Sequence, residues 1–187
     1  MNSNLTRATV VYLVDNDNRV CLARMKKAIH KDKEGGGDQE QGSIEYSLGV
    51  WNGYGGKELP EDIERATAGN VDDNMLFTAT RELQEESGVK ADVKDLEPIG
   101  VVNFYLKVKS DMPFMQVYFY ILRKWENVPM ESKEMGPATF FDKEYIPYHE
   151  MMPADKMLFE KMLNGESIDS DIILMGKDVE PIVKFVL

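Results

Sequence analysis

The stretch Arg81-Glu82-Leu83-Gln84-Glu85-Glu86-Ser87-Gly88-Val89 decides how this chain is read. Glu82, Glu85 and Glu86 stand at i, i+3 and i+4, so on a helix their carboxylates share one face. Leu76, Ala79 and Leu83 fall on another face at similar spacing and can anchor the helix to a core. The spacing predicts a helix from about Met75 to Ser87, closed by Gly88 as a left-handed cap. Three like charges on neighbouring turns cost an unaided helix roughly a few tenths of a kcal/mol per pair. They also sit near the C-terminal end, where the helix dipole disfavours negative charge. A bound divalent cation would offset both effects, because carboxylate oxygens are ligands that Mg²⁺ prefers. On spacing alone, a solvated acidic face with Arg81 as its counter-charge is the commoner arrangement.

Upstream, Gly49-Val50-Trp51-Asn52-Gly53-Tyr54-Gly55-Gly56-Lys57 alternates glycines with aromatics, which suits a backbone that approaches something closely. Thr9–Val14 and Arg19–Met25 read as strands joined by Asp15-Asn16-Asp17-Asn18. Ile99–Val108 and Met115–Arg123 alternate as strands, and Thr139–Phe141 reads as a short one. Pro153–Leu163 reads as a helix, and Ile172–Met175 with Ile182–Val186 as a closing hairpin. Glu34–Ser43 is polar and glycine-rich, and Glu58–Asn74 reads as a second polar loop. The elements suit an α+β sandwich with helices against a sheet.

The 187 residues favour one domain over 1–187, with flexible insertions at about 31–46 and 58–73. Net charge is -11, which disfavours a long nucleic-acid backbone and favours a small ligand handled through a cation. The one dense basic stretch, Lys26 to Lys33, reads as a solvated loop. No apolar run is long enough for a membrane span, and the N-terminus lacks a signal-peptide pattern. The single cysteine, Cys21, lies in an apolar run and reads as a small core residue, so a reducing cytoplasm is the expected location. The sequence leaves the oligomeric state open.

Gly56 followed by Arg81-Glu82-Leu83-Gln84-Glu85-Glu86-Ser87-Gly88-Val89 resembles the box of the Nudix hydrolases. Trp51–Lys57 and Glu131-Ser132-Lys133-Glu134-Met135 are similar to the MutT-like oxidised purine nucleoside triphosphate hydrolases, the 8-oxo-dGTP diphosphatase branch. The resemblance implies an α/β/α sandwich with a mixed sheet and a catalytic helix following the Gly-rich loop. It implies Mg²⁺, with Mn²⁺ able to substitute, held by the carbonyl of Gly55 and by Glu82, Glu85, Glu86 and Glu134. Arg81 would orient a catalytic carboxylate through a bidentate pair. Glu85 is the first choice for the general base and Glu82 the second. The implied products are a nucleoside monophosphate and pyrophosphate. Thr9, Lys26, Asn52, Phe104, Met115, Met152 and Asp155 fall where the branch contacts its nucleotide.

Three features depart from the family pattern. The spacer between Gly56 and Arg81 is much longer, and the position eight before Arg81 is Asp73. Asp73 or Glu61 is therefore expected to stand in for the box's additional glutamate. The paired acids that read the purine appear as Ala154-Asp155, and Met152 occupies an aromatic position. Loss of a hydrogen-bonding partner shifts base preference. A nucleoside diphosphate derivative, such as a nucleotide sugar or dinucleotide, is thus the alternative substrate class. A non-catalytic nucleotide-binding module is the third reading.

Overall fold

The computed structural model describes residues 5–26, 48–69, 73–106, 111–174 and 180–186. The strands are β1 (Thr6–Val14), β2 (Val20–Arg24) and β3 (Trp51–Asn52), followed by helices α1 (Pro60–Gly69) and α2 (Met75–Ser87). Then come β4 (Leu96–Tyr105), β5 (Met115–Leu122), β6 (Thr139–Phe141), α3 (Asp155–Leu163), β7 (Ser170–Ile173) and β8 (Ile182–Phe185). The sheet runs β3-β2-β1-β5-β4-β7-β8, with β6 also paired to β2. It is mixed: β1 pairs with β5 and β4 with β7 in parallel, whereas the remaining pairs are antiparallel. The expected mixed α+β architecture is observed.

The period-two alternation of β1 divides the core. Val11 and Leu13 join Met75, Ala79 and Leu83 beneath α2. Tyr12 and Val14 join Leu158, Phe159 and Met162 beneath α3. Leu83 is fully buried, and each such side chain stabilises the fold by about 1.5–3 kcal/mol. Cys21 is buried in the α2-side core, as expected of a small apolar residue.

Helix α2 has the expected bounds. Asp73 Oδ1 accepts the Met75 N–H at 2.9 Å. At the other end, Gly88 takes a φ of 73° and donates its N–H to the Gln84 carbonyl. Helix α3 and the β7–β8 pair also fall where the sequence placed a helix and a hairpin, the latter with Ile173 opposite Ile182.

The segment expected to be a loop at 58–73 instead contains α1. Only Asp62 and Ala66 of this helix are buried, so it lacks the apolar stripe by which helices are recognised. Pro60 at its first position suits a helix start, and Asp62 Oδ2 accepts the Leu59 N–H at 3.0 Å. Arg65 lies over the Phe77 ring at 5.2 Å, which helps seat α1 on α2. The insertion expected at 31–46 lies outside the described residues, as does the hairpin turn at 176–178. Among the described residues, no helix is long and apolar enough to cross a membrane.

Candidate active site

Arg81 organises the acidic end of the fold. Its side chain is 8% exposed, and all five guanidinium N–H groups have partners. Nε and Nη2 donate to Asp62 Oδ1 and Oδ2, each at 2.9 Å, in a bidentate pair. Nη1 donates to Glu82 at 2.8 Å and to Glu85 at 3.1 Å, and Nη2 also reaches the Lys57 carbonyl at 2.9 Å. Burial works against the charge on Arg81, yet Asp62 and Glu82 hold its pKa above the ordinary value.

Asp62, rather than Asp73 or Glu61, is the acid that pairs with Arg81. It is fully buried and accepts bonds from Arg81, the Leu59 N–H and Thr78 Oγ1. Burial would raise its pKa, but these donors hold the carboxyl below the usual range. The expected stand-ins are both displaced. Glu61 only approaches Arg81 Nε at 3.9 Å from a side chain that is 63% exposed. Asp73 serves the start of α2 and lies 3.4 Å from the Tyr120 hydroxyl. Asp62 stands six residues after Gly56, so the extra residues fall between Asp62 and Arg81. Counting forward from the glycine, rather than back from the arginine, would have found it.

The Gly-rich loop passes against β1 and the acidic face of α2. Gly55 N–H donates to Glu86 Oε2 at 2.8 Å. A Cβ on Gly55 would lie 2.0 Å from the Thr9 carbonyl oxygen, and one on Gly56 would lie 2.5 Å from the Glu82 carboxyl carbon. Glycine is required at Gly55, where the contact is with backbone, whereas a methyl group at Gly56 would displace the Glu82 carboxylate. Glu82 is half-buried, and burial raises its pKa; Arg81 counteracts this, whereas Glu85 and Glu134 add to it.

Among the described residues, no three His, Cys, Asp or Glu side chains form a ready-made metal cage. Arg81 draws in Glu82 and Glu85, while Gly55 holds Glu86. The donor chemistry nevertheless fits Mg²⁺, which commonly takes one or two carboxylates and completes its octahedron with water and substrate phosphates.

The residues expected around the base are divided by the sheet. Phe104 and Met115 pack against the α3-side core, where Asp155 is buried at the start of α3. Asp155 Oδ2 accepts the Met152 N–H at 2.9 Å, and burial pushes its carboxyl up to about 7. Thr9 lies between Ala8 and Val10, both of which face the α3 side, so strand alternation turns its hydroxyl toward α2. That hydroxyl is buried and has no hydrogen-bond partner among the described residues. Asn52 pairs across the sheet with Ala23, part of the α2-side core, and its Nδ2 lies 3.7 Å from Met25 Sδ. Lys26 reaches Glu131 and the Ser132 carbonyl, tying β2 to the segment that carries Glu134. Phe104, Met115 and Asp155 therefore share the α3 side, with Met152 tied to Asp155 through its backbone N–H, and Thr9 and Asn52 do not join them.

A mixed sheet between helices, with an arginine-centred acidic helix behind a glycine loop, defines the architectural class. No protein-family model matches the chain, and no curated protein matches it either. Solved structures do. The MutT protein from Bacillus halodurans superimposes with a TM-score of 0.64 at 18% identity, covering 96% of this chain and 97% of that one. A Nudix hydrolase from Nitrosomonas europaea gives 0.60 at 13% identity, covering 93% and 81%. The Nudix domain of Shewanella oneidensis NrtR, in a cocrystal with ADP ribose, gives 0.55 at 13% identity, covering 86% and 88%. The fold of this chain is that of the MutT/Nudix hydrolases.

Proposed function

We propose that this chain is a divalent-cation-dependent Nudix hydrolase that cleaves a diphosphate linkage in a small nucleotide. The leading reading is hydrolysis of a nucleoside triphosphate to the monophosphate and pyrophosphate, with an oxidised purine such as 8-oxo-dGTP as the first candidate. The observation that carries it is the Arg81 network, which gathers Asp62, Glu82 and Glu85 beside the Gly55–Glu86 contact.

Glu82, Glu85, Glu86, Glu134 and the Gly55 carbonyl are the donors that would hold Mg²⁺ or Mn²⁺. The ion, when bound, supplies charge that polarises phosphoryl oxygens and lowers the pKa of an attacking water. Glu85 is the first candidate to take the proton from that water, because its side chain is 59% exposed whereas that of Glu82 is 15% exposed. Glu82 is the second, since its raised pKa favours proton capture. Arg81 fixes the direction of both carboxylates, and Asp62 fixes Arg81.

The test is purified protein with Mg²⁺ against a panel of nucleoside triphosphates, ordinary and oxidised, followed by pyrophosphate release. Failure to turn over every triphosphate removes the leading reading. A second reading, a nucleotide sugar or dinucleotide substrate, is favoured by Ala154 standing beside a lone Asp155 at the base end. Those compounds in the same panel separate the two, because pyrophosphate is then not the product.

A further inference from the structure

Arg24 lies outside the acidic network yet joins three segments that are remote in sequence. It closes β2, and its guanidinium stacks over the Trp51 ring, 4.5 Å from the centroid. Its Nη1 donates to the Gly49 carbonyl at 2.6 Å, in the turn before β3, and its Nη2 donates to the Glu150 carboxylate. Trp51 in turn meets Phe141 edge to face at 5.1 Å. Glu150 ends the short 3-10 turn Tyr148–Glu150 that leads through Met152 to Asp155. Arg24 holds the Glu150 carboxyl below its usual range, and His149 adds to this from 3.5 Å.

An isolated surface ion pair contributes little. Arg24 differs because one planar fork satisfies a carboxylate and a carbonyl while its face covers an indole, which a lysine cannot reproduce. Trp51, Phe141 and Tyr148 pack against the same core as Phe104 and Met115. The clasp therefore lies on the side of the sheet that carries Asp155, away from the Arg81 network.

Resting on the nucleotide-hydrolase reading, we propose that Arg24 and Glu150 form a clasp that fixes the 148–155 segment against Trp51. The clasp sets the spacing of Met152 and Asp155 from Phe104 and Met115, the residues read as the base-binding end, which makes Arg24 a positioning residue for specificity. Its loss lets Met152 and Asp155 move relative to Phe104 and Met115, weakening the hold on the base.

The experiment is steady-state kinetics with Mg²⁺ on the triphosphate that the parent chain turns over best, using Arg24→Ala, Glu150→Gln, their double variant and Arg24→Lys. Each single variant is expected to raise KM roughly threefold to fivefold, the upper part of the range for a half-exposed charged pair. The change in kcat should stay within about twofold, because the interaction is made before and during cleavage alike. The double variant should lose little more than either single one, since both remove one shared contact. Arg24→Lys should fall between parent and Arg24→Ala. Inorganic triphosphate, which has no base, should inhibit parent and variants alike. If Arg24→Ala does not fold, Glu150→Gln carries the test, because it leaves β2 intact. An unchanged KM, a loss confined to kcat, or additive losses overturn the clasp. A parent chain that cleaves no nucleotide overturns the hydrolase reading and the clasp with it.

Discussion

Removing Asp62 tests the central structural argument. Asp62→Ala deletes two bonds to Arg81, the acceptor for Leu59 N–H and the acceptor for Thr78. Arg81 is left buried without its bidentate partner, and breaking such a pair costs about 3–5 kcal/mol. The lower end applies, because Glu82, Glu85 and the Lys57 carbonyl still accept from Arg81. With a urea m-value of about 2 kcal/mol/M, a loss of about 3 kcal/mol moves the unfolding midpoint by about 1.5 M. Glu61→Ala, at an exposed pair 3.9 Å apart, should change stability by less than about 0.5 kcal/mol. Asp73→Ala, which removes an acceptor at the start of α2, should cost about 1 kcal/mol. The pH dependence follows from the direction of the Asp62 shift. Its folded pKa is depressed, so its contribution is present above about pH 4 and is lost as pH falls through the folded value. The gap between parent and Asp62→Asn should therefore narrow below about pH 4. Equal midpoints for Asp62→Ala and Glu61→Ala, measured at neutral pH, would refute the assignment.

Other outcomes follow from the same geometry. Glu85→Gln should lower kcat by at least about 10²-fold, with a urea midpoint close to the parent's because the side chain is 59% exposed. An active variant would move the base assignment to Glu82. Gly55→Ala forces a methyl group against the Thr9 carbonyl and should destabilise by about 1–3 kcal/mol, read by thermal unfolding. Equal melting temperatures would contradict the close approach. Burial raises the Asp155 pKa from 3.8 to about 7, so the folded chain holds this proton more tightly than the unfolded chain. Stability should fall as pH rises from about 4 to about 7, by on the order of 4 kcal/mol at most, and Asp155→Asn should flatten that slope. Denaturant titrations across this range compare the two, and parallel slopes would count against a buried, protonated Asp155.

The helix carrying the acids was legible because its signals were local: Leu76, Ala79 and Leu83 at helical spacing, and Gly88 at the end. The strands were legible from alternation, and their termini shifted by a few residues where the pairing partner ran on. Helix α1 was not legible, since Ile63 faces solvent and only Asp62 and Ala66 are covered. Asp62 was missed with it, because an acid in a polar stretch carries no sign that it is buried until its partner is known. The base end was legible only as a set of residue types. Which of them share a side depends on strand register, and the pairing of Asn52 with Ala23 is a tertiary fact.

Strand β1 is common property of two workshops. Val11 and Leu13 underpin the acidic helix, while Tyr12 and Val14 underpin the helix that bears Asp155. Substitutions beneath α3 are therefore separated by the sheet from the Arg81 network on the reverse side. The same arrangement makes the strand intolerant of slippage, because moving it by one residue would exchange the two sets wholesale. Its eight-residue parallel seam with β5 is the lock on that register, holding the two faces in a constant spatial relation.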